Sequence, residues 1–190
     1  MASVVALHSV TSGLAQFLSR AYQLAPISQV SCKFTPVGTS EFKKLDGQDT
    51  TCSIFVYRIT HNEHLRNYRP VGRVLPLSVN LHLLFTIWAD SALREQSLIA
   101  WLLRALHQQP VVDRSMLPST AGFDVADHIQ LLPEELSLDD MTKLWQTLAP
   151  PYRASLTYVA RNVPIDVERN EDYPPVVATR FALDDEVSAP

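Results

Sequence analysis

Arg73-Val-Leu-Pro-Leu-Ser-Val-Asn-Leu-His-Leu-Leu-Phe-Thr-Ile-Trp-Ala89 is the stretch whose reading decides the fold. Leu77, Val79, Leu81, Leu83, Phe85 and Ile87 recur at every second position, and Ser78, Asn80, His82 and Thr86 sit between them. A period of two describes a long strand with one buried face and one mostly polar face. Leu84 and Trp88 are exceptions on the polar side. After Asp90-Ser91, the residues Leu98, Ile99, Trp101, Leu102, Leu103, Ala105 and Leu106 form a wide apolar arc of a helix over 91–109. Ser91 is placed to cap that helix and Pro110 to stop it. A helix apolar over so much of its circumference needs cover on more than one side. The sheet supplies one side, and the rest of the fold or another subunit supplies the other.

Upstream, Leu7, Val10, Leu14, Phe17, Leu18 and Ala21 follow a spacing of three and four, which predicts a helix over about 3–22 despite Gly13. Residues 29–35 alternate weakly and read as a short strand, and 37–50 read as a long surface loop. Residues 52–60 read as a strand with Ile54, Val56 and Arg58 opposite Phe55, Tyr57 and Ile59, forming a hairpin with 73–88. Downstream, 125–132 reads as another short strand. Ser137-Leu-Asp-Asp140 opens a helix carrying Leu138, Met141, Leu144, Trp145 and Leu148, and 152–163 alternates as a last strand. The expected fold is therefore α+β: a mostly antiparallel sheet of about four to five strands with two or three packed helices. Residues 1–163 form one domain, and 164–190 form an extended acidic tail.

Composition bounds the function. The 190 residues are 46% hydrophobic, enough for one real core, and the net charge of −4 gives no general nucleic-acid footprint. The tail concentrates seven acids against two bases, while the remainder is nearly neutral. No apolar run reaches the ~18 residues of a membrane span, and no basic region precedes the mildly apolar N-terminus. The chain is expected to be made and kept in the cytoplasm, with no membrane insertion. Cys32 and Cys52 have neither a CxxC spacing nor a neighbouring His cluster, so packed thiols are favoured over a disulfide or a metal site.

Catalytic motifs are absent. No nucleophile elbow, P-loop or GxGxxG occurs, and five glycines leave little material for a phosphate cradle. His61-Asn-Glu-His64 lacks the HExxH order, and His82 on a strand's polar face reads as a satisfied or exposed histidine. Asp139-Asp140 fit a helix N-terminus, and Glu134-Glu135 read as surface charge. Neither a cofactor nor a metal is expected, and no enzyme. One charge feature remains. Arg58, Arg66, Arg69 and Arg73 lie close together with only Glu63 opposing them, and Tyr68 sits beside Arg69. Tyr and Arg are enriched at interfaces, so this segment together with Leu98, Trp101 and Leu103 is the candidate subunit or partner surface.

Several segments taken together then resemble a known family: Val79-Asn-Leu-His-Leu-Leu-Phe-Thr-Ile-Trp-Ala89, the apolar helix running to His107-Gln-Gln-Pro110, Ile129-Gln-Leu-Leu-Pro-Glu-Glu-Leu-Ser137, Leu144-Trp145, and Tyr152-Arg-Ala-Ser-Leu-Thr-Tyr158. Over residues 4–167 their order and spacing are similar to the tube-cap, or tail-terminator, proteins of phage-tail-like extracellular contractile injection systems of the antifeeding-prophage type. The resemblance implies a structural subunit of a ring, commonly hexameric, that closes the distal end of the inner tube and sheath. The implied partners are further copies of the chain and the tube and sheath proteins. The implied location is a particle assembled in the cytoplasm and then released or attached to an envelope. A second cap layer or an envelope adaptor is the alternative. Family members often carry a longer C-terminal portion than this chain does.

Overall fold

The computed structural model describes residues 5–27, 30–45, 49–62, 77–118, 123–124, 127–148 and 150–165. Helix α1 spans Ala6–Leu24, β1 Lys33–Pro36, α2 Phe42–Leu45, β2 Thr51–His61 and β3 Leu77–Trp88. Helix α3 spans Ala92–Gln108, β4 Val111–Val112, β5 Ile129–Pro133, α4 Leu138–Thr147 and β6 Ser155–Ile165. Six strands form one sheet in the order β1-β2-β3-β6-β5-β4. β1 and β2 are parallel and every other pair is antiparallel, so the sheet is mixed and has more strands than expected.

β3 lies at the centre between β2 and β6. Its odd residues Val79, Leu81, Leu83, Phe85 and Ile87 pack beneath α1 and α3 with Val10, Leu14, Leu18, Leu102 and Leu106. The opposite face is not mostly polar. Leu84 and Trp88 join Phe42, Leu45, Met141, Trp145 and Leu148 in a second core under α2 and α4. The two exceptions to the alternation were thus the contacts of a second layer. The loop expected over 37–50 holds a 3-10 turn at Thr39–Glu41 and then α2, whose Phe42 is fully buried.

Helix α3 buries Leu98, Trp101, Leu102, Ala105 and Leu106, one stripe at spacings of three and four. Ser91 caps it by accepting from the Arg94 N–H at 3.5 Å. Ser137 caps α4 in the same way, with Oγ accepting from the Asp140 N–H at 3.1 Å and donating to the Asp140 carboxylate at 2.7 Å. Gly13 fits α1 because of a close approach rather than a bend. A Cβ there would stand 2.5 Å from the Met116 carbonyl oxygen.

Two irregularities set the faces of the sheet. The β2–β3 register passes from Val56↔Leu83 to Arg58↔His82, leaving Tyr57 as a bulge. The extra residue inverts the parity of β2, so Arg58 and Thr60 lie on the second face with Phe55 rather than with Ile54 and Val56. β6 carries a similar shift between Ala160 and Val163, where Asn162 adopts φ 64. Asn is among the residues that tolerate this left-handed conformation.

Candidate functional site

The expected interface residues divide into three groups. Leu98 and Trp101 belong to the subunit's own first core, with the Trp101 indole donating to the Ala25 carbonyl at 3.1 Å, so they are not surface residues. Leu103 is turned outward and is 43% exposed. Arg58 is exposed on β2. Arg66, Tyr68, Arg69 and Arg73 lie outside the described residues. The outer stripe of α3 holds Leu93, Gln96, Ala100, Leu103 and His107, all exposed. Leu93 is 79% exposed, although Leu is a costly residue to leave in water. The helix is therefore covered on one side only within the subunit, and a mixed apolar-polar stripe faces outward.

His82 is the best-organised titratable group. Its Nδ1 lies 2.7 and 2.9 Å from the two carboxylate oxygens of Glu134, and its Nε2 lies 3.0 Å from the Thr60 hydroxyl. The Tyr57 hydroxyl donates to the same Glu134 carboxylate at 2.7 Å. The Glu134 N–H donates to the Thr157 carbonyl at 2.9 Å, and the Thr157 hydroxyl donates to the Glu134 carbonyl. β2, β3 and β6 thus meet the β5–α4 connection at one residue, Glu134, the first two at its carboxylate and the third at its backbone. Burial, followed by the bond to Glu134, pushes the Tyr57 hydroxyl well above its ordinary range, so it stays a donor at neutral pH.

A hydroxyl, an imidazole and a carboxylate in line have the order of a nucleophile, a base and its orienter. Here each group is held by a structural partner. Glu134 binds Tyr57 as well as His82, and Thr60 is β-branched on a sheet strand. The arrangement fixes the ring of His82 and ties three strands to the start of α4, replacing water contacts that these polar groups lose on burial. Sequence reading took His82 for a satisfied or exposed histidine, and the structure makes it a buried, satisfied one. It missed Glu134, because the two residues are 52 positions apart and the carboxylate looked like surface charge.

His61 ends β2 and is exposed, whereas His64 lies outside the described residues. Among the described residues, no three His, Cys, Asp or Glu side chains come together as a metal site, and no helix is long and apolar enough to cross a membrane. Cys32 and Cys52 are free thiols. Burial pushes Cys32 up to about 12 and Cys52 well above its ordinary value, so neither is a ready nucleophile. A shallow groove of about 390 Å³ runs between α1 and β1, lined by residues including Gln16, Ser19, Arg20 and Phe34, with no convergent titratable groups.

The sequence matches the Pvc16 N-terminal domain family over residues 9–179. The chain belongs to that family. Its fold is also that of two solved assemblies. One is the sheath/tube terminator of PVC, an extracellular contractile injection system, in the extended state. It is 20% identical, with a TM-score of 0.59, covering 99% of this chain and 65% of that one. The other is the tube-terminating cap of the anti-feeding prophage, 22% identical, with a TM-score of 0.54, covering 92% of this chain and 60% of that one. The chain thus spans less than two thirds of the length of either. No curated protein matches it.

Proposed function

We propose that this chain is a structural cap subunit that terminates the inner tube and sheath of a contractile injection particle, acting as a homo-oligomeric ring, hexameric by analogy. The supporting observation is the shared fold across nearly the whole chain with two terminating caps, joined to membership of the Pvc16 N-terminal domain family. The chemistry agrees with a role exercised by shape. The polar network around Glu134 spends its hydrogen bonds inside the fold.

The outer stripe of α3, with Leu93, Ala100 and Leu103, is the surface we assign to subunit contact, because head-to-tail rings need two complementary patches on each copy. Arg58 and the segment carrying Arg66, Tyr68, Arg69 and Arg73 are proposed to meet a neighbour or the tube and sheath. Assembly takes place in the cytoplasm, before the particle is released or attached to an envelope. Light scattering after size exclusion should report a ring, and Leu103→Glu should leave a folded subunit with the ring lost. Deleting the gene should give tubes of irregular length in electron micrographs. Tubes of normal length in the deletion strain would refute the terminator role.

A further inference from the structure

The sheet ends in two edges, β1 and β4, that differ in chemistry. Inter-strand steps of about 4.8 Å set them roughly 24 Å apart across the sheet. At β1, the Lys33 N–H donates to the Thr50 carbonyl and the Val37 N–H to the Ile54 carbonyl, both at 3.0 Å. That alternation turns the N–H and C=O of Phe34 away from β2, with no further strand beside them among the described residues. At β4, the Leu131 N–H donates to the Pro110 carbonyl, so Val111 is the residue that points outward. Its carbonyl already accepts from the Gln109 side chain at 2.7 Å. Pro36 on one edge and the Gln109 cover on the other leave little backbone for a running ladder, so contact at these edges falls to side chains.

Side-chain charge separates the two edges. α1, β1 and α2 carry Arg20, Lys33, Lys43 and Lys44, all exposed and none in an ion pair among the described residues. Glu41, whose carboxylate accepts from the Gly38 N–H, and Asp49 are the described acids next to them. Arg20 also lines the open groove between α1 and β1. Around β4 and β5 the balance reverses. There Asp113, Asp124, Asp127 and Glu135, none of them buried, stand against Arg114.

We propose that these edges are the two halves of one contact, with the basic β1 edge of one copy seated against the acidic β4–β5 edge of the next. The inference rests on the ring reading above and says which surfaces close it. A head-to-tail ring needs two unlike patches on each subunit, and the outer stripe of α3 is a single one. Opposite charges on opposite edges supply the pair. They also work against wrong docking, since two basic edges or two acidic edges repel each other.

Paired charge reversals at exposed residues test it. Arg20→Glu with Lys33→Glu makes both edges acidic, and Asp124→Lys with Glu135→Lys makes both basic. In light scattering of the full-length protein after size exclusion, each variant alone should lose about tenfold or more in self-association. An equimolar mixture of the two should regain the ring, with the variants alternating around it. The parent's own ring should loosen as salt is raised. A ring as tight in high salt as in low overturns the proposal without any variant. A ring formed by either variant alone as readily as by the parent overturns it and leaves the cap reading standing. A mixture that stays apart, although circular dichroism shows both variants folded, overturns it too. A parent that forms no ring overturns both this proposal and the ring in the cap reading. Variants that keep the ring but fail to end tubes would assign the edges to the tube or sheath, and equally overturn it.

Discussion

The two faces of β3 are covered by different means. The odd face packs mainly aliphatic side chains, together with a ring cluster of Tyr22, Phe34 and Trp101, beneath two long helices, each of which presents a regular stripe. The even face packs rings beneath two short helices: Phe42 meets Phe55, Trp88 and Trp145 at centroid distances of 5.1, 6.0 and 6.4 Å. A layer built from long amphipathic helices spreads its stabilisation over many interchangeable contacts. A layer built from a few rings concentrates it, because α2 has only four residues and no stability of its own. Phe42→Ala should therefore cost about 3–5 kcal/mol and release α2 as well. Leu102→Ala on the other face should cost about 2–5 kcal/mol and leave α3 docked by its remaining stripe. Urea denaturation measures both. A Phe42 variant clearly milder than the Leu102 variant would break the contrast.

Gly13 tests the first face for tolerance. On helix propensity alone, Ala should stabilise α1 by about 1 kcal/mol. The Cβ would instead meet a backbone oxygen, which cannot swing aside as a flexible side chain could. Gly13→Ala should therefore destabilise by about 1–3 kcal/mol through overpacking. A thermal midpoint at or above the parent's would show that the aliphatic layer gives way more easily than its geometry suggests.

These differences explain what the sequence could and could not reveal. The period of two in β3, the stripe of α1, the existence of α3, and the caps at Ser91 and Ser137 are local patterns, and all were legible. The second layer is not a local pattern. Its ring contacts join Phe42, Trp88 and Trp145 across the chain, and on β3 it left only Leu84 and Trp88 as departures from alternation. The bulge at Tyr57 is likewise invisible, since an inserted residue in an apolar strand leaves no compositional mark. Missing it put Arg58 on the wrong face and hid Thr60, the hydroxyl partner of His82. For α3, counting apolar residues without their directions made Leu98 and Trp101 seem available to a partner. The stripe rule separates them from Leu103 only once the buried side is known.

Within the second layer, the two tryptophans differ. Trp88 donates its indole N–H to the Ser53 hydroxyl at 2.9 Å, and Arg153 lies over its ring at 4.9 Å. The Trp145 indole nitrogen is buried without a partner among the described residues. Trp88→Phe loses a satisfied bond and leaves Ser53 short of a donor, at a cost of about 1–3 kcal/mol. Trp145→Phe removes a donor that was never satisfied, so it should cost less than its loss of ring area implies. Equal destabilisation of the two in urea would mean that ring size alone sets the strength of this layer.

The smallest effect lies in alkaline pH, and it separates the faces by onset. Burial raises the thiols of Cys32 and Cys52 on the first face from 9.0, and it raises the Tyr57 hydroxyl on the second face from 10.0. Tyr22 and Tyr158, on the first face, are raised from 10.0 for the same reason. A group whose pKa is higher folded than unfolded stabilises fully below its unfolded value, and that contribution is lost as pH climbs toward the folded one. Stability should therefore be flat from neutral pH to about 9, fall first through the cysteines, and fall faster above about 10 when the tyrosines join. Replacing both cysteines with alanine should move the onset up by roughly one pH unit, while Tyr57→Phe should leave the onset in place and flatten the steeper limb. Thermal midpoints taken between pH 7 and 11 distinguish these shapes whatever the variants' stability at neutral pH. An onset that moves with Tyr57→Phe but not with the cysteines would mean that the ring-built face, rather than the aliphatic one, yields first to alkali.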